Sequence, residues 1–159
     1  MIWFRRLSVT VGVAAALTVF AAPASAQVTY ALAGVEIAAT PEVGTFVGVA
    51  RSQDDFGKWR AVIVHDLLSD PAPQVTDGVF VIDGQVRDLR GIITGGEIVR
   101  QGGSCRKETF AVTGDVVLST GDIGQFDVRL THYGFRLPSG GCFTFFATIE
   151  GGIFFPTLQ

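Results

Sequence analysis

Downstream of residue 26 the chain is cut by glycine and turn residues into short segments in which apolar and polar side chains alternate. That period of two narrows the fold most, because successive strand residues point to opposite faces of a sheet. Trp59, Ala61, Ile63, His65 and Leu67 form one face of a segment, and Lys58, Arg60, Val62, Val64 and Asp66 form the other. Phe126, Val128, Leu130 and His132 oppose Asp127, Arg129, Thr131 and Tyr133. Phe143, Phe145, Ala147, Ile149 and Ile153 oppose Thr144, Phe146, Thr148 and Glu150. The segments are rich in Val, Ile, Phe and Thr, whose branched or aromatic side chains suit a pleated, half-buried surface. No ten-residue window after Ala26 carries a helical period.

The pattern predicts eight strands, at 28–38, 44–52, 58–68, 75–82, 91–99, 107–118, 125–135 and 142–154. Their separators include Asp54-Asp55, Ser69-Asp70-Pro71-Ala72-Pro73, Asp83-Gly84, Gln101-Gly102-Gly103-Ser104 and Pro138-Ser139-Gly140-Gly141. One apolar face per strand marks antiparallel sheets with one solvated side. The fold class is therefore all-β, a small antiparallel barrel of about eight strands, because the links read as successive hairpins and closure removes exposed edges. A two-sheet sandwich is the alternative. A membrane-spanning barrel fits poorly, since Arg51, Asp66, Asp127 and Arg129 interrupt any lipid-facing surface. Gly-x-Phe recurs at Gly44, Gly78 and Gly124, and reads as a turn followed by a strand.

The first 26 residues read as a signal peptide. Arg5 and Arg6 precede an uncharged apolar run that Pro23 ends, and Ala24-Ser25-Ala26 offers a small-x-small cleavage pattern before Gln27. The expectation is a single domain of residues 27–159, exported to a periplasm or the extracellular space and left with no integral membrane span. Cleavage removes two of the twelve basic residues. Ten remain against fifteen acidic ones, a net charge of −5 with both histidines neutral. That balance argues against nucleic acid, which wants a basic stripe, and makes an anionic membrane a poor general match.

Cys105 and Cys142 are the only cysteines. An even pair in an exported chain reads as a disulfide, closing a loop of about 36 residues worth roughly 3–4 kcal/mol. His65 and His132, the only histidines, both fall on the apolar face of their strand. An inward imidazole must find a hydrogen-bond partner, or its burial costs about 1–3 kcal/mol. The two rings could form the polar floor of a ligand pocket or hold a metal with Glu36 as third ligand. One could serve as a general base. Otherwise each bonds a loop carbonyl near its strand end. His65-Asp66 cannot be a catalytic dyad, because neighbours in a strand point apart. Asp54-Asp55 reads as a turn in which each carboxylate bonds its own backbone. Trp59 reads as core.

No nucleophile elbow, phosphate loop or metal-ligand spacing is present, and the residues carry no family resemblance. The functional expectation is a non-catalytic binding or structural protein of the cell envelope or the medium. It has no cofactor, and its partner is a small apolar ligand or another extracellular protein. The alternative is a ligand-binding or isomerase-like barrel that uses His65 and His132 inside its cavity.

Overall fold

The structure, a computed structural model, describes residues 26–68 and 72–158. The expected signal peptide and part of the 69–73 separator therefore lie outside the described residues, apart from Ala26. Eight strands form: β1 (Ala26–Ala39), β2 (Val43–Arg51), β3 (Phe56–Asp66), β4 (Gln74–Gly84), β5 (Asp88–Ser104), β6 (Lys107–Leu118), β7 (Ile123–Arg136) and β8 (Cys142–Leu158). Each pairs with the next, and β8 returns antiparallel to β1, so the sheet is a closed barrel and not a sandwich. Gln101-Gly102-Gly103-Ser104 is strand, not separator. Gly102 and Gly103 sit at φ 130° and 114°, which side-chain-bearing residues rarely adopt, and this carries β5 onward past Arg100.

The inner wall is apolar: Tyr30, Phe46, Trp59, Phe80, Phe126 and Phe155 are all buried. The outer wall carries Lys58, Arg60, Arg90, Asp127, Arg129 and Glu150, all exposed. These charges share the outer wall with exposed apolar residues such as Val49, Val79, Ile92 and Val99. An eight-stranded barrel has little room inside, and glycines across the ladder make space for its rings. Trp59 pairs with Gly48, Phe80 with Gly91 and Phe126 with Gly114. A Cβ on Gly91 or Gly114 would come within 2.6 Å of the facing ring, and one on Gly48 within 2.6 Å of Trp59 Nε1. The Gly-x-Phe glycines follow the same logic. Gly44, Gly78 and Gly124 lie inside strands, and a Cβ on Gly124 would meet the Phe155 ring at 2.6 Å. They are packing positions, not turns.

The two ends of the barrel differ. The turns after β2, β4 and β6 share one end with the β1 start and the β8 finish. Here Tyr30, Ile82, Val116 and Phe155 are almost fully buried. Asp55 closes this end. Its Oδ1 accepts from the amides of Gln85 (2.8 Å) and Val86 (2.9 Å), and its Oδ2 from the Arg87 amide (3.2 Å) and the Tyr30 hydroxyl (2.8 Å). Arg87 forks onto Asp54 at 2.8 and 3.0 Å. The two carboxylates thus bind a loop thirty residues away, not their own backbone as the sequence suggests.

The opposite end is the mouth, framed by the turns after β1, β3, β5 and β7. The pairing slips by one residue near each of these turns, leaving Ile37, Thr76, Gln101 and Phe145 as bulges. The β2–β3, β4–β5 and β6–β7 ladders run without a shift among the described residues. Bulges bend a strand and are common at barrel rims. The Cys105–Cys142 disulfide, with Cα atoms 5.2 Å apart, ties two of the mouth hairpins together.

Asp55 carries the first test. Burial pushes its pKa up, but the bonds from Val86, Tyr30, Arg87 and Gln85 outweigh that and hold it below the usual carboxylate value. A depressed carboxylate stabilises the fold fully above its unfolded pKa of about 3.9, and the contribution is lost as pH falls further. Asp55→Asn should cost about 2–3 kcal/mol in urea unfolding at pH 7. The deficit should shrink below about pH 4. A cost under about 0.5 kcal/mol would show that Asp55 does not hold the closed end.

Candidate functional site

The mouth opens into a cavity of about 530 Å³. Phe46, Ile63, Val75, Val112, Leu130 and Ile149 make its apolar wall, and Glu36, His65 and His132 are its titratable lining. It exists because the inner positions near the mouth include Gly44 and Ala147, whereas the closed half is filled by Tyr30, Trp59 and Phe155. Only a void of about 40 Å³ remains among Leu32, Trp59, Phe80, Phe126 and their neighbours.

Both histidines reach this cavity by strand parity. β3 runs unbroken from Trp59 to His65, because the bulge beside it belongs to β4. β7 runs unbroken from Phe126 to His132, because the nearby bulge belongs to β8. Both rings are half-buried, since the mouth opens beside them. Phe110 lies against His132 with ring centroids 5.2 Å apart and planes at 57°. The residues flanking Phe110 show why: it stands two positions from Val112 on the inner face of β6.

The ring nitrogens are the unusual feature. His65 Nδ1 and His132 Nε2 are buried and have no hydrogen-bond partner among the described residues. Among the described residues no loop carbonyl pairs with either of these nitrogens. The Glu42 carbonyl accepts instead from the backbone amide of His65, at 2.8 Å. Burial lowers the pKa of His65, opposed by its own main chain. Burial lowers that of His132 too, opposed by Glu108 and reinforced by His65. A charge on His65 thus further disfavours one on His132, and burial favours the neutral form of both rings. Burial raises the pKa of Glu36.

The chemistry available is hydrogen bonding inside an apolar wall. Glu36 and the two imidazoles do not form a metal-binding group: among the described residues no three His, Cys, Asp or Glu side chains are placed to hold one. Asp66 points away from His65 in sequence parity, and its Oδ1 accepts from the Leu68 amide at 2.8 Å. Glu108 pairs with His132 across β6 and β7, but its carboxylate is engaged by Arg100. Comparison with protein family models, with characterised proteins and with solved structures finds no match.

Phe143 departs from the expected face. The sequence puts it with Ala147 on the inner side. The bulge at Phe145 shifts the register, so Phe143 pairs with Phe135 and both are exposed. One extra residue reverses the parity of everything beyond it.

The depressed imidazole pKa values fix the sign of an acid response. The folded chain binds fewer protons at these rings than the unfolded chain, whose histidines titrate near 6.5. Their contribution to stability is therefore constant above about pH 7.5 and falls as pH drops through 6.5. Urea midpoints should decline between pH 7 and pH 5, and His65→Leu/His132→Leu should flatten that interval. An unchanged or rising midpoint in the parent protein would contradict the burial of neutral rings.

Proposed function

We propose that this chain is an exported, non-catalytic binding protein whose barrel mouth takes a small, mainly apolar ligand bearing one hydrogen-bonding group. The pair of unpartnered ring nitrogens in an apolar cavity carries this reading. A buried polar atom left unpaired costs about 1–3 kcal/mol, and native folds rarely tolerate it without a use. A neutral imidazole donates from one nitrogen and accepts at the other, so a hydroxyl, carbonyl or protonated carboxyl on the ligand would satisfy both rings. The volume suits the reading, since small-molecule pockets span roughly 300–1,000 Å³. The disulfide supports export, because such bonds persist in oxidising compartments. A non-catalytic role fits because the carboxylate paired opposite His132 is occupied by Arg100.

Two probes of nearly the same shape test the reading. The mature protein should bind 2-naphthol saturably at one equivalent, and the imidazole ¹⁵N resonances of His65 and His132 should move with occupancy. Naphthalene, which lacks the hydroxyl, should bind about fivefold more weakly, the equivalent of roughly 1 kcal/mol for one hydrogen bond. His65→Leu/His132→Leu should erase the difference. No saturable binding, or equal affinity of the parent protein for both compounds, would overturn the reading.

A further inference from the structure

The net negative charge of the chain is unevenly placed, and the mouth carries an aromatic patch that the fold leaves uncovered. Phe135 and Phe143 are each 49% exposed, Phe145 64% and Phe146 43%. Three of them cluster, and the fourth packs on Tyr133 beside them. The Phe135 ring lies 5.2 Å from that of Phe143 and 6.4 Å from that of Phe145, and Tyr133 lies 6.0 Å from Phe146. Phe135 and Phe143 face outward as a cross-strand pair, whereas Phe145 and Phe146 also border the cavity. Contiguous exposed apolar surface of this kind marks an interaction site.

The charges around it are basic. Between Tyr133 and Ile149 there is no carboxylate, and Arg136 lies within that stretch. The disulfide brings the β5–β6 turn beside it, adding Arg106 and Lys107. All three basic residues are exposed, and no ion pair joins any of them to a carboxylate among the described residues. Of the mouth carboxylates among the described residues, Glu42 and Asp66 belong to the β1–β2 turn and the end of β3, Glu36 lines the cavity, and Glu108, next to Lys107, is engaged by Arg100. Exposed aromatic rings prefer the headgroup region of a bilayer, and neighbouring basic residues add attraction to anionic lipid. We propose that this side of the mouth docks on an anionic phospholipid surface. Phe135, Phe143, Phe145 and Phe146 enter the headgroup layer, and Arg106, Lys107 and Arg136 meet the phosphates. The cavity would then open toward the acyl region, a direct path for an apolar ligand. The docking rests on the outer patch and not on the ligand reading, so naphthol binding and lipid binding can fail separately.

Flotation of the mature protein with vesicles tests it. Vesicles of phosphatidylcholine mixed with phosphatidylglycerol should carry the protein, and the bound fraction should fall with added salt. Vesicles of phosphatidylcholine alone should carry much less. Each of Arg106→Ala, Lys107→Ala and Arg136→Ala should weaken binding about fivefold, since one basic side chain near such a surface is worth about 1 kcal/mol. Phe135→Ser/Phe143→Ser, two outward positions that the core does not use, should weaken it at least as much while urea unfolding stays unchanged. Failure to float with either vesicle, or equal flotation with both, would overturn the proposal. So would a dimer in sedimentation that the same substitutions dissociate, because a second copy of the chain would then be what covers the patch.

Discussion

Closure of the sheet on itself is the constraint on which the remaining features depend. The β1–β8 ladder, from Val28 opposite Phe155 to Val35 opposite Thr148, turns a meander into a cylinder. Every strand then has two neighbours, and every inward side chain must share one narrow interior. Large rings fit only where the facing strand supplies a glycine. That requirement accounts for glycines such as Gly48, Gly91 and Gly114, which would weaken a strand on an open sheet.

The same constraint divides the barrel in two. Toward the closed end the interior is filled, and Asp55 gathers the β4–β5 turn and the Tyr30 hydroxyl into one buried node. Toward the mouth the interior is not filled. The bulges at Ile37, Thr76, Gln101 and Phe145 bend the rim strands, the disulfide fixes two of the rim hairpins, and two imidazoles stand in the space that remains. A domain selected for stability alone would gain by filling that space, since buried apolar area contributes about 25 cal/mol per Å². Retention of an apolar cavity with unpaired polar atoms is the physical basis for reading the mouth as a binding site.

Much of this was legible from residue order. The eight strands were visible because alternation over five or more residues has no other simple cause. The faces of His65 and His132 were visible because the parity of β3 and β7 is unbroken up to each ring. The division of the barrel was not visible, since it depends on which residues meet across the ladder. The side of Phe143 depends on a bulge at Phe145 that nothing in the local pattern announces. Asp54-Asp55 looked self-satisfied because its partners, Arg87 and the 85–87 amides, are remote in sequence. Gly102-Gly103 looked like a turn because positive φ serves a bulged strand as readily as a loop.

Carrying a ligand and presenting the mouth to a lipid surface are compatible roles for one end of the molecule, the first drawing on His65 and His132, the second on Phe135, Phe143 and the basic residues, with Phe145 and Phe146 bordering both. The central claim is that the cavity is meant to be occupied. Native mass spectrometry of protein purified from its own host without extraction by detergent or solvent measures this directly. The account predicts a small apolar molecule released from the folded protein at one equivalent or less, and missing from His65→Leu/His132→Leu prepared in the same way. Protein that carries the bare chain mass alone, through gentle ionisation and from fresh host material, would contradict it.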